Sequence, residues 1–162
     1  MKQLTTEQLL TIAKDAILAT QYCFLITLGE SGQINSRLMQ PYEPQNDFTI
    51  YIGTSPRSRK VSEIQGNNHV TLSYHNPREN AFVTLIGAAT LESDIDLRKK
   101  YWREEWRIFF PGGADSDDYI LIKFIPQRIE IMNLARNISL KPYGLRATVL
   151  HRIGDTWEVE AE

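Results

Sequence analysis

The sequence predicts a mainly β fold, an antiparallel β-barrel with a few α-helices laid over it. Three observations lead there. Apolar runs of strand length recur along the chain, among them CFLITL, FTIYIG and VTLSYH. Short, turn-rich segments such as GESGQ and NPREN join most of them. Parallel winding would need a helix between most strands, and the chain does not supply them, so the sheet is expected to close antiparallel. At 162 residues the chain reads as a single domain over 1–162, with a helix in 1–20 and a C-terminal extension over 134–162.

The elements follow in order. Thr5 and Gln8 form a capping-box pattern ahead of a helix from Thr6 to about Ala19, with Leu9, Ala13, Ala16 and Ile17 at helical spacing. CFLITL and NSRLMQP read as a hairpin around GESGQ, and the proline of YEPQND ends the pairing. FTIYIG and VTLSYH are further strands. AFVTLIGAATLE is a long one, with a bulge or bend expected at Gly87. DIDLRKKYWREEW reads as a helix capped by Asp94. After the loop PGGADSDD come two strand-like runs, YILIKFIP and RIEIMNL, and TVLHRIGDTWEVE reads as a hairpin around Gly154-Asp155.

Composition excludes several functions. A net charge of -2 gives the whole chain no electrostatic case for nucleic acid. No window approaches the roughly 20 apolar residues of a membrane span, and MKQLTTEQLL is not a secretory signal, so a cytoplasmic location is expected. The only cysteine, Cys23, lies in an apolar run and reads as a buried structural thiol. His69, His75 and His151 show no metal-ligand spacing, no serine sits in a nucleophile-elbow context, and PGGADSDD lacks the register of a calcium loop.

One stretch carries a charge that needs an explanation. In TSPRSRKVSEI, Arg57, Arg59 and Lys60 stand between a strand end and a helix start, where a helix favours acids. Thr54, Ser55 and Ser58 add hydroxyl donors. With the unpaired N–H groups of a helix N-terminus, they compose a phosphate cradle. Solvated loop charges are the other reading of the same composition. A P-loop is excluded, because Gly53 is the only glycine there. Arg37, beside Leu38 and Met39 in NSRLMQP, favours the cradle: if that strand pairs with FTIYIG, its guanidinium closes the anion site from a second side.

SRLM, YIGTSPRSRKVSEI and VTLIGAA, with WRIFFPGGADSDDYILIKFIP after them, resemble in order and spacing the flavin-binding split barrels related to pyridoxamine 5'-phosphate oxidase, in the general stress protein-like branch. The resemblance covers roughly residues 5–133. It implies a homodimer with FMN in a cleft at the subunit interface. Arg37, Ser58, Arg59 and Lys60 would hold the phosphate. Leu38, Met39 and Gln40 would lie along the isoalloxazine ring with their backbone groups at its polar edge, and Thr54 and Ser55 near the ribityl chain or ring. Trp106 or Phe109 would reach the cofactor, unless these aromatics, with Tyr101, pack on the barrel instead.

The oxidases that make pyridoxal phosphate carry a glutamine where this chain has Phe82 and Val83, and the C-terminus here ends in acids, so the resemblance points to flavin binding rather than to that oxidation. The functional expectation is an FMN-dependent oxidoreductase acting with a small-molecule substrate or electron donor. Other readings are a non-catalytic flavin-binding stress module, or a split barrel holding deazaflavin or haem, the last needing one of the three histidines as axial ligand.

Overall fold

The computed structural model describes residues 4–138 and 146–161. Of the extension expected over 134–162, residues 139–145 and Glu162 lie outside the described residues. The fold is the expected antiparallel one: among the described residues, eight strands form a single sheet, with three α-helices and one 3-10 turn.

Helix α1 spans Thr6–Leu18 with both halves of the Thr5/Gln8 capping box formed, and it buries Leu9, Ala13, Ala16 and Ile17 against the sheet. Strand β1 (Cys23–Leu28) turns through a left-handed Gly32 into β2 (Ile34–Met39), and the two pair in register from Cys23/Met39 to Leu28/Ile34. Strand β3 (Ile50–Thr54) leads into α2 (Arg59–Gly66). Strands β4 (His69–Asn76) and β5 (Ala81–Glu92) form the next hairpin, with β4 also paired to β1. Helix α3 (Ile95–Lys100) and a 3-10 turn at Glu104–Ile108 precede β6 (Ile120–Asn133). The C-terminal hairpin is β7 (Thr148–Ile153) and β8 (Thr156–Val159), turning at a left-handed Gly154.

Three expectations are corrected. First, YILIKFIP and RIEIMNL are one continuous strand, β6. Pro126 does not break it, because its missing N–H falls at a register shift: Gly87 opposes Pro126 while Ile86 opposes Arg128, leaving Gln127 as the extra residue of a bulge. Second, the helix after Asp94 stops at Lys100. The Tyr101 carbonyl accepts the hydroxyls of Tyr42 and Tyr119, and a 3-10 turn begins only at Glu104.

Third, β2 does not pair with β3. Strand β3 crosses over to β6, occupying the edge at Ile120–Phe124, and β7 takes the same edge further on at Arg128–Ile131. The long β6 thus serves two partners on one side, parted at the Pro126 bulge. Contact between the β2 exit and β3 falls beyond the end of β2, where the Tyr42 N–H donates to the Tyr51 carbonyl at 2.9 Å.

The main core lies between α1 and the inner face of the sheet, with Leu25, Ile52, Leu72, Val83, Leu85, Phe124, Ile129 and Ile131 buried. A second cluster, Tyr51, Trp106, Tyr119 and Leu121, seals β3 and β6 under the 3-10 turn. Cys23 is buried in the main core, where loss of solvation pushes its thiol up to about 12, against a small opposing effect of the Tyr74 hydroxyl. An aromatic disulfide reagent at pH 8 should therefore leave the native thiol unmodified and react fully once denaturant unfolds the chain. Stoichiometric labelling of the folded protein would show that Cys23 is accessible.

Candidate functional site

The strand-to-helix corner gathers the expected cations. Thr54 ends β3, and its Oγ1 accepts a bond from Lys60 Nζ at 3.1 Å and lies 3.3 Å from Ser58 Oγ. Ser55 shapes the turn: its carbonyl accepts the Ser58 N–H at 3.1 Å and its hydroxyl the Arg57 N–H at 3.3 Å. Ser58 is the N-cap of α2, yet its side chain makes no capping bond, and no acid stands in the first turn. A helix N-terminus left without its own acceptor, with hydroxyls and an ammonium around it, offers donors to an incoming anion. Burial, and then the charge of Arg37, lower the Lys60 ammonium from its ordinary value, with Glu63 acting the other way.

Arg37 reaches the corner from β2, on the inward face opposite Leu25. Its Nη2 donates to Glu63 Oε2 at 2.7 Å and its Nη1 to Thr27 Oγ1. Glu63 also receives the Thr27 hydroxyl at 2.6 Å, Asn35 Nδ2 at 2.8 Å and the Arg59 Nε ion pair at 3.1 Å. Burial alone would raise the Glu63 carboxyl, but the hydrogen bonds from Thr27 and Arg37, with the charges of Arg37 and Arg59, hold it below the usual carboxylate range. Arg37 and Glu63 side chains are only 17% and 6% exposed, whereas Arg59 is 73% exposed.

The sign of the pH dependence follows from that depression. Glu63 contributes stability above its unfolded value near 4.5, and the contribution is lost as pH falls through the lower folded value. Unfolding titrations from neutral to acid pH should show the stability gap between wild type and Glu63→Gln closing below about pH 4.5. A gap that stays constant down to pH 3 would remove Glu63 from the acid-labile set.

The remaining expected residues divide. Leu38 points to the outer face of the sheet, opposite Phe24, while Met39 points inward and packs on the core. Gln40 follows β2 and lines a recess of about 170 Å³ with Pro41, Tyr42, Tyr74 and Arg103. Strand β2 ends the sheet order, so its outer edge has no ladder partner among the described residues and its backbone groups there remain available. Trp106 is buried on the inside: its ring lies against Gly53, where a Cβ would approach Trp106 Cζ3 to 2.3 Å and Tyr119 Cε2 to 2.8 Å. It thus walls the strand that ends in Thr54. Tyr101 stacks on Tyr51, with ring centroids 4.3 Å apart. Phe109 instead stands 72% exposed.

Glu63, Thr27 and Asn35 were not among the residues expected here. Their sequence signals were slight: Glu63 is four residues past Arg59, helix-pair spacing, and Thr27 is a polar side chain at an inward position of an apolar strand.

Residues 7–138 match the family described as pyridoxamine 5'-phosphate oxidase like. The chain belongs to that family. Among curated proteins, general stress protein 26 of Bacillus subtilis is 28% identical over 107 residues, covering 64% of this chain and 74% of that protein. Among solved structures, a protein related to general stress protein 26 from Clostridium acetobutylicum aligns with a TM-score of 0.71 and 20% identity, over 81% of this chain and 92% of that one. A pyridoxamine 5'-phosphate oxidase-related, FMN-binding protein from Nostoc punctiforme aligns with a TM-score of 0.75 and 16% identity, over 99% and 98%. The fold is that of the split barrels of this pyridoxamine 5'-phosphate oxidase-like family.

Proposed function

We propose that this pyridoxamine 5'-phosphate oxidase-like protein binds FMN as a homodimer and acts as a flavin-dependent oxidoreductase on a small substrate. The observation that carries the reading is the corner at Thr54–Lys60: an uncapped, acid-free helix start ringed by Thr54, Ser58, Arg59, Lys60 and the inward Arg37. Phosphate fits that donor set in charge and in hydrogen-bond sense. The unpaired edge of β2 leaves backbone donors and acceptors at Leu38–Gln40 for the polar rim of the ring. A bound flavin supplies the electron chemistry; this chain supplies position and field.

A partner copy is supported by the outer face of β2, β1, β4 and β5. There Phe24 (51% exposed) opposes Leu38 (57%), with Ile34 and Phe82 also exposed on the same side. An apolar strip of this kind marks an association surface. Phe109, exposed just past the 3-10 turn, is the aromatic free to reach across to a flavin held by the partner. The names of two relatives agree with the reading: one is called FMN binding, the other a general stress protein.

The test is analytical ultracentrifugation with detection in the flavin visible band after FMN is added. Visible absorbance sedimenting with a species of twice the chain mass is expected. A colourless monomer in the presence of excess FMN would overturn both parts. NAD(P)H consumption by the loaded dimer with an added electron acceptor then separates an enzyme from a passive carrier.

A further inference from the structure

Two cradle cations already share an anion within the chain. Glu63 Oε2 receives Arg37 and Thr27, and Oε1 receives Arg59 and Asn35. A carboxylate has about four acceptor positions; here Thr27, Asn35 and Arg37 take three by hydrogen bonds, and Arg59 adds an ion pair. Resting on the phosphate-cradle reading, we infer that Glu63 is the resident counter-ion of the cradle. It neutralises Arg37 and Arg59 while no phosphate is present, and so limits how tightly any anion is held there.

The geometry favours this over a purely structural prop. A helix-surface glutamate paired with an exposed arginine would be an ordinary solvated pair. Glu63 is instead 6% exposed and reaches inward to Arg37, itself 17% exposed. A guanidinium that far from water needs an anionic partner at all times. Glu63 provides it, at the cost of placing a negative charge beside the site for a dianionic phosphate. Arg37 Nη1 donates to Thr27 Oγ1, with longer contacts to the Asn35 and Leu25 carbonyls at 3.4 and 3.5 Å, and Nη2 donates to Glu63, which leaves Nε and one Nη2 hydrogen for a ligand. An incoming phosphate thus competes with an intramolecular carboxylate for the same cations.

Glu63→Gln tests this, because the amide keeps the shape and the oxygen that Thr27 and Arg37 use while removing the charge. FMN, riboflavin and inorganic phosphate are titrated against wild type and variant. FMN and inorganic phosphate should each bind about tenfold more tightly to the variant at low salt, with the gain shrinking as salt is raised from about 50 mM to about 500 mM. Riboflavin affinity should not move. Glu63→Asp, which retains the charge, should stay near wild type. If Glu63→Gln unfolds when ligand-free, added phosphate should restore it where sodium chloride of equal ionic strength does not.

Weaker FMN binding, an equal change for FMN and riboflavin, no gain for either anion, or no rescue by phosphate would each overturn the counter-ion role. The flavin reading is judged separately. If neither protein binds FMN but the variant gains affinity for inorganic phosphate, Glu63 keeps its role and the flavin assignment fails. If wild type binds FMN and the variant gains nothing, the reverse holds.

Discussion

Lys60→Ala should weaken FMN binding by ~1.5–3 kcal/mol, roughly tenfold to a hundredfold, the range for a hydrogen bond to a charged group. The Lys60 ammonium is half-buried beside Thr54 and near Arg37, and its one hydrogen bond among the described residues is to Thr54 Oγ1 at 3.1 Å. Removing it leaves no buried carboxylate without its partner, because Glu63 pairs with Arg37 and Arg59 instead. The loss should therefore appear in ligand affinity and hardly at all in the stability of the ligand-free protein. Riboflavin, which lacks the phosphate, should bind variant and wild type alike. Arg37→Ala should weaken FMN too, but with a clear loss of stability, since it takes from Glu63 the nearer of its two cations and leaves a buried carboxylate underpaired. Equal losses for FMN and riboflavin in Lys60→Ala would place the ammonium away from the phosphate.

The largest effect on the fold is expected at Gly87. A Cβ there would lie 2.1 Å from the Ile125 carbonyl oxygen and 2.7 Å from Pro126 Cα. These are backbone atoms of the paired strand, so no side chain can swing aside and the bulge itself must move. Gly87→Ala should cost about 3 kcal/mol or more, a fall in Tm of roughly 6–12 °C for a domain of this size. Gly66→Ala is the matched control. It closes α2, has nothing within 4 Å of the added carbon, and should be neutral or stabilising by less than about 1 kcal/mol. A Gly87→Ala protein as stable as wild type would mean that β5 and β6 do not approach closely at the bulge.

What the sequence disclosed, and what it hid, follows from the range of the interactions. Local signals were legible: the Thr5/Gln8 capping box, Asp94 accepting the Leu97 N–H at 2.9 Å, and the hairpins at Gly32 and Gly154. Each is set within a few residues. Pro126 misled because a proline inside a strand reads as a break, and only the bulge opposite Gly87, almost 40 positions earlier in the chain, makes it tolerable. The helix after Asp94 was overextended because the hydroxyls that take the Tyr101 carbonyl come from Tyr42 and Tyr119, neither of them nearby in sequence.

The site shows the same division. The cations of TSPRSRK raised the question of an anion, and β3 ending at Thr54 with α2 starting at Arg59 places them at the expected strand-to-helix corner. Arg37 comes to the corner by a different route from the expected one. Strand β2 pairs with β1, and α2 lies over β1 so that Glu63 meets Thr27, Asn35 and Arg37. Chain order suggested β2 beside β3; the crossover of β3 to β6 decided otherwise. Glu63 stayed hidden because an i,i+4 pair with Arg59 looks like any surface helix pair until the burial of its far side is known.

On this reading the corner at Thr54–Lys60 holds the phosphate of a flavin nucleotide. Fluorescence titration of the wild-type protein with FMN and with riboflavin, side by side at one salt concentration, tests it most directly. FMN bound at least roughly tenfold more tightly than riboflavin is the predicted result, since only FMN engages the cations. Riboflavin binding as tightly as FMN, or neither binding, would contradict it.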